Sequence, residues 1–206
     1  DSHIGILLEY DHKKELKKYF ENKKTALSNS SSINIGFVGA GSFAKSLLLP
    51  NLPKDINKLA VATASSHNAR NVADKFNFKY AFGSGSDIID HNEINTVFIT
   101  TRHNTHFEFV LDSLNKGKNV FVEKPLCMDE DELDQIMKAY ALSEKHLMVG
   151  YNRRFSPHIK KIIDIFGKES KKTINYRINV GPVSPGHWTQ DKDIGGGRII
   201  GEVCHF

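Results

Sequence analysis

The sequence reads as an α/β protein. A mainly parallel sheet flanked by helices is followed by the start of a second α/β (α+β) domain with an open, antiparallel-type sheet. Three observations predict this. From about residue 33 to residue 150, short apolar or β-branched runs alternate with stretches of helical periodicity, as strand–helix–strand units do. The first such unit carries Gly39-x-Gly41-x-x-Ala44 directly after an apolar run. Beyond residue 150 the pattern changes to one helix and one alternating stretch broken by Gly and Pro.

Composition sets outer limits. The 206 residues allow one full domain and part of another. Net charge is +4, but the densest basic cluster, Lys13-Lys14, Lys17-Lys18 and Lys23-Lys24, is interleaved with Glu15 and Glu21. It reads as a solvated helix face, which argues against nucleic acid as a partner. No apolar run approaches the ~18 residues of a membrane span, and no signal-peptide pattern is present. Cys127 and Cys204, the two cysteines, lack a metal-ligand spacing. They point to a reduced, cytoplasmic protein without a metal site, a disulfide between them being the alternative. Asp, not Met, stands first, as at a trimmed end.

The elements follow in order. Residues 4–10 are expected as a short strand and 12–24 as a charged helix; Ser28-Asn29-Ser30-Ser31-Ser32 reads as a linker. The first 32 residues are therefore an extension, or the tail of an upstream domain. Residues up to Val38 form a buried strand, and a helical stretch runs from about Phe43 to Leu49. This is the context that a dinucleotide-binding, Rossmann-type fingerprint requires. Gly39 permits the tight turn, Gly41 lets a pyrophosphate approach the backbone, and small Ala44 lets the helix sit close to the strand. The helix start offers N–H groups to the phosphates.

Residues 58–65 form the next strand. No carboxylate stands at its end to hold a ribose 2′-hydroxyl; Ser65 and Ser66 are there, with Arg70 one turn into the following helix. That set favours NADP over NAD, unless Ser66 serves only to cap the helix bearing Ala69, Val72, Ala73 and Phe76. Residues 79–82, 95–101, 120–122 and 147–150 read as strands, and 87–90 as one helical turn. Helices follow with Phe107, Val110, Leu111 and Leu114 on one face, and with Leu133, Ile136, Met137 and Tyr140 on another. The acidic start Asp129-Glu130-Asp131-Glu132 suits a helix dipole. In a parallel sheet, ligands sit beyond the carboxyl ends of the strands, where the 101–106 loop and Lys124 both fall. Ser156-Pro157 starts a helix carrying Ile159, Ile162, Ile163 and Phe166 that stops at Gly167. Residues 173–180 alternate Ile174, Tyr176, Ile178 and Val180, as a strand with one buried face does. After a loop with His187, Trp188, Asp191 and Asp193, the chain ends on Gly195-Gly196-Gly197 through His205-Phe206, which reads as the start of an element.

These residues resemble the glucose–fructose oxidoreductase / inositol dehydrogenase (Gfo/Idh/MocA) family over 33–206. The carriers are Gly36-x-x-Gly39-Ala40-Gly41-x-x-Ala44, Glu123-Lys124-Pro125, Gly150-Tyr151-Asn152-Arg153-Arg154-Phe155 and Gly195-Gly196-Gly197 through His205. The resemblance implies a nucleotide-binding domain at 33–150 and an incomplete substrate domain at 151–206. It implies an NAD(P)-dependent oxidoreductase acting on sugars, polyols and related hydroxy compounds, and a homo-oligomer when full length. Residues 1–30 then look like the tail of a zinc-alcohol-dehydrogenase-like domain. Lys124 corresponds to the family's catalytic lysine, with desolvation expected to lower its pKa, and His205 to the histidine that relays the substrate proton. The implied cofactor contacts are Gly39, Ala40, Gly41, Ser42, Phe43, Ser65, Ser66, Arg70, Thr100, Thr101, His103, His106, Glu123, Lys124 and Arg154. Two changes depart from the family pattern. Gly201 stands where the family has Asp, leaving Glu202 as the candidate catalytic carboxylate although it points about 100° away on a helix. Arg102-His103 replaces Pro-Asn. Two other functions stay open: a cofactor-sensing binding module, and NAD-dependent lyase or glycosidase chemistry without net redox change.

Overall fold

A computed structural model describes residues 7, 9, 17–29, 32–167, 169 and 171–203. Seven strands form one sheet: β1 (Tyr19–Glu21), β2 (Asn34–Val38), β3 (Asn57–Ala62), β4 (Tyr80–Phe82), β5 (Thr96–Ile99), β6 (Asn119–Val122) and β7 (Leu147–Val149). Their spatial order is β1-β4-β3-β2-β5-β6-β7, and every pairing is parallel except β1 with β4. The chain leaves β2 on one side for β3 and returns on the other for β5. The topological switch point of a doubly wound sheet therefore lies beyond β2.

Register decides what meets there. Val38 pairs with Ala62 and Ile99, Ile99 with Val122, and Val122 with Val149. Five strand ends are thus level, and the next residues, Gly39, Thr63, Thr100, Glu123 and Gly150, form one row.

Helices α1 (Ser66–Phe76), α2 (Gly85–Asp90), α3 (His106–Asn115) and α4 (Glu130–Ser143) cover the two faces. Phe37 belongs to one core cluster with Val72 and Phe78, and neighbouring Val38 to the other with Ile88, Val110 and Ile136. That is the two-sided burial of a parallel sheet. At α4 the acidic start also supplies the cap, since the Asp129 carboxylate accepts from the Glu132 backbone N–H at 2.8 Å. At α1 the cap is Ser65, whose Oγ accepts from the Asn68 N–H, rather than Ser66. After the glycine turn the chain forms a π-helical turn, Ala44–Leu48, and then a 3-10 turn, Leu49–Asn51.

Two expected elements differ. No helix forms over residues 17–24, the described part of the charged helix expected at 12–24. Tyr19–Glu21 is instead an edge strand of the sheet. The reason is aromatic: Tyr19 packs on Tyr80 and Phe82 with ring centroids 5.2 and 5.6 Å apart, while Phe20 joins the opposite cluster. The linker is tied down as well, since the Ser28 N–H donates to Asn57 Oδ1 at 2.8 Å. The strand expected at 4–10 falls almost wholly outside the described residues. The strand expected over 173–180 does not form, and Ile174 and Tyr176 are exposed. Helix α5 (Pro157–Phe166) forms with its Ser156 cap but buries none of its residues. Helix α6 (Gly197–Gly201) is the last helix among the described residues.

Candidate functional site

The level strand ends bring the glycine turn, the β5 loop and the β6 loop together. Gly39 has φ +85°, and an added Cβ would lie 2.8 Å from the Thr100 carbonyl, so both conformation and space require glycine. Thr100 Oγ1 donates to Gly39 O at 2.8 Å and joins the two loops. Ala40 and Ala44 are buried beneath. Gly41 is the opposite case: an added Cβ would meet nothing within 4 Å. Ser42 and Phe43 follow, exposed, and no side chain caps the helical turn they start. The turn is therefore a cradle with an open approach and backbone N–H groups at its rim, which suits a pyrophosphate. The donor set fits the dinucleotide that the fingerprint implies.

A cavity of about 620 Å³ runs from this cradle to the β6 loop, lined by Gly41, Phe43 and Thr100 at one end and by Thr101, His103, His106, Glu123 and Lys124 at the other. Lys124 Nζ donates to the carbonyl of Gly201 in α6. The Glu123 carboxyl packs against Gly150, where an added Cβ would lie 2.9 Å from Oε1. Burial pushes its pKa up to about 6, against the pull of the Lys124 backbone N–H and charge.

Both histidines of the loop face carbonyls. His106 is fully buried, with Nδ1 2.6 Å from Pro125 O and Nε2 3.3 Å from Thr101 O. Burial lowers its pKa, so the ring is neutral and can donate only once. The shorter contact is the donated one, and it ties the β6 loop to α3. His103 is buried too, with Nδ1 2.9 Å from Gly195 O. Its pKa is pushed down to about 4 by burial and by the Lys124 charge, against the hydrogen bond to Gly195.

The second cover of the site comes from residues 187–201. The Asn104 N–H donates to Ile194 O at 3.1 Å. Trp188 packs edge-on to His103 at 4.7 Å and lies under the Arg102 guanidinium at 5.8 Å. Beyond this segment a separate depression of about 660 Å³, lined by Asp129, Glu132 and Lys192, holds none of the predicted site residues.

Several predicted residues sit elsewhere. The Glu202 carboxylate binds Arg198 at 2.9 Å, a pairing that helical i,i+4 spacing favours, and it does not line the cavity. The Arg154 guanidinium lies over the Phe155 ring at 5.4 Å, while Arg153, one residue earlier, lines the cavity. At the end of β3, Ser65 is engaged as the α1 cap, Ser66 Oγ lies 3.7 Å from where a Cβ on Gly83 would be, and the Arg70 guanidinium stacks on Phe20 of β1 at 4.3 Å. His205 lies outside the described residues. Asn152, Ser156 and Trp188 line the cavity without having been singled out as binding residues. Of these only Trp188 carried a signal, being the one tryptophan, placed just before a three-glycine run. Among the described residues no group of three potential metal ligands occurs, and no helix is long and apolar enough to cross a membrane.

Comparison with known proteins agrees with this geometry. A family model described as "Oxidoreductase family, NAD-binding Rossmann fold" (Gfo/Idh/MocA) matches residues 33–151. The chain is 28% identical over 160 residues to a trans-1,2-dihydrobenzene-1,2-diol dehydrogenase of Xenopus laevis, which is 76% of this chain and 48% of that protein. It is 31% identical over 141 residues to an inositol 2-dehydrogenase of Rhizobium meliloti, 65% of this chain and 41% of that one. The chain thus spans about half the length of the curated relatives it matches. Among solved structures, a levoglucosan dehydrogenase in complex with NADH and levoglucosan matches with a TM-score of 0.68 at 25% identity, covering 84% of this chain and 51% of the other. A 3-ketoreductase from Actinomadura kijaniata, solved with NADP and TDP-benzene, shares the fold at a TM-score of 0.70 and 19% identity, over 82% and 54% of the two chains.

Proposed function

The chain belongs to the Gfo/Idh/MocA oxidoreductase family, and from that premise we propose that it is an NAD(P)-dependent oxidoreductase acting on a secondary alcohol or ketone of a sugar-like or polyol compound. The observation that carries the proposal is the continuity of one cavity from the open cradle at Gly41 to the ammonium of Lys124. The nicotinamide, when bound, takes up or delivers the hydride. The backbone N–H groups of Gly41, Ser42 and Phe43 hold the pyrophosphate. Lys124, steadied by the Gly201 carbonyl, donates a hydrogen bond to the reacting oxygen and stabilises negative charge on it. His106 fixes the loop that carries Lys124 by holding Pro125 O. His205 is the family position for proton relay.

NADP is the proposed preference, supported by the absence of any carboxylate between Ala62 and Arg70. Arg70 has to leave the Phe20 ring to serve a 2′-phosphate. A reduced cytoplasmic setting is supported by the free Cys127 thiol, whose pKa burial pushes up to about 11. The full-length protein is proposed to be a homo-oligomer. A second reading, a cofactor-sensing binding module, is favoured by one observation: Gly201 carries no side chain and Glu202 is paired with Arg198.

Lys124→Ala tests the proposal. With myo-inositol, xylitol and glucose as probes and nicotinamide absorbance as readout, turnover should fall about 100-fold or more, with cofactor affinity kept. Full turnover in the variant contradicts the role of Lys124. Cofactor binding without turnover in the wild type moves the binding-module reading to the front.

A further inference from the structure

We propose that His103 accepts a hydrogen bond from the reacting hydroxyl group beside Lys124. The inference rests on the oxidoreductase reading above and adds a substrate contact to it.

His103 is only 6% exposed, yet it lines the same cavity as Lys124. Its ring is held on several sides. Nδ1 faces Gly195 O at 2.9 Å. Trp188 stands edge-on at 4.7 Å, and the His106 ring centroid is 5.8 Å away. A Cβ on Gly201 would lie 3.4 Å from His103 Cε1 and 3.9 Å from Nδ1, in ordinary van der Waals contact, so Gly201 forms one wall of the space around the ring.

The chemistry of the ring follows from its partner. A carbonyl oxygen only accepts, so Nδ1 carries the hydrogen, and a neutral imidazole then bears its lone pair on Nε2. Nδ1 makes the ring's one hydrogen bond among the described residues, which leaves Nε2 as its polar atom for a ligand. Burial and the Lys124 charge keep the ring neutral. Nε2 is therefore a standing acceptor rather than a proton store.

Lys124 supplies the complement. Its ammonium only donates, and it is held by the carbonyl of the same Gly201 whose Cα faces His103. A hydroxyl group between the two accepts from Lys124 and donates to His103, which fixes its oxygen and its hydrogen at once. A ketone can accept from Lys124 but has nothing to give His103, so the pair favours binding of the alcohol. The nearby carboxylates do not compete, since Glu202 is paired with Arg198 and Glu123 packs on Gly150.

The test uses the full chain with His103→Phe, which keeps a ring against Trp188 but removes both nitrogens, and His103→Gln, which restores an acceptor. With the same three probes, His103→Phe should lower kcat/KM for oxidation about 100-fold, cofactor affinity staying within about threefold, and His103→Gln should recover about tenfold of the loss. Nitrogen-15 NMR of the wild type should show the His103 proton on Nδ1. A proton on Nε2, an active His103→Phe, or a parallel loss of cofactor affinity overturns the inference while leaving the oxidoreductase reading in place. A wild type that binds cofactor but oxidises none of the probes removes that reading and the inference with it. The NMR result stands whether or not the variants fold.

Discussion

Helices α3 and α5 are alike on paper and opposite in the structure. Each has ten residues and one apolar face. Helix α3 buries Val110 and Leu114 against the sheet and α4, whereas α5 buries nothing and leaves Ile162, Ile163 and Phe166 exposed. Strands repeat the contrast. Residues Thr96–Ile99 pair on both sides, while the equally alternating 173–180 stretch forms no strand. Periodicity is a local property that forms a helix or an extended run, but burial needs a partner surface. Residues 33–151 contain that surface. Within 152–203 the 187–201 segment finds one, on the His103 loop.

This contrast can be broken by mutation. The largest expected effect is in the nucleotide-binding half. Phe37→Ala removes a fully buried ring stacked on Phe98 at 4.7 Å and should cost about 3–5 kcal/mol in urea unfolding. An effect below about 1 kcal/mol would mean that this core is not packed as described. The next largest is electrostatic. His103 has a pKa near 4 when folded and 6.5 when unfolded. As pH falls from 6.5 toward 4, the unfolded chain takes up a proton that the folded chain refuses, so stability falls through that window. Glu123 works the other way, because a folded pKa near 6 against 4.5 costs stability as pH rises between those values. The unfolding free energy of wild type minus that of His103→Phe should therefore grow as pH rises from 4 to 6.5, by no more than about 3 kcal/mol. A pH-independent difference would show that residue 103 is solvated.

Gly39→Ala comes third. At φ +85° and with a backbone carbonyl 2.8 Å from the new Cβ, a loss of about 2 kcal/mol is expected, measured by thermal unfolding. Smallest is Ile162→Ser on α5, which should change stability by no more than about 0.5 kcal/mol. A loss of several kcal/mol there would mean that the α5 face is covered in solution.

The parallel sheet was legible because its strands and helices announce themselves by period, and the cradle because three small residues stand at fixed spacing after a strand. Other features were hidden for stated reasons. A lysine-rich sequence around Tyr19 and Phe20 looks helical, and only the sheet edge at Tyr80–Phe82 makes it a strand. Spacing puts Arg70 within reach of a 2′-phosphate but cannot show the aromatic ring 50 residues upstream on which it stacks. The docking of Trp188 and Gly195 onto His103 joins segments about 90 residues apart, and no local pattern reports such a contact.

The most direct test of the central claim is calorimetric titration of the wild type and Gly41→Val with NADP and NAD in parallel. An added Cβ at Gly41 touches no part of the protein, so the variant should fold like the wild type. If the cradle holds the pyrophosphate, the wild type binds at least one of the two cofactors and Gly41→Val loses that affinity about 30-fold or more at unchanged melting temperature. Equal binding by both proteins, or binding of neither cofactor by the wild type, would contradict the dinucleotide site.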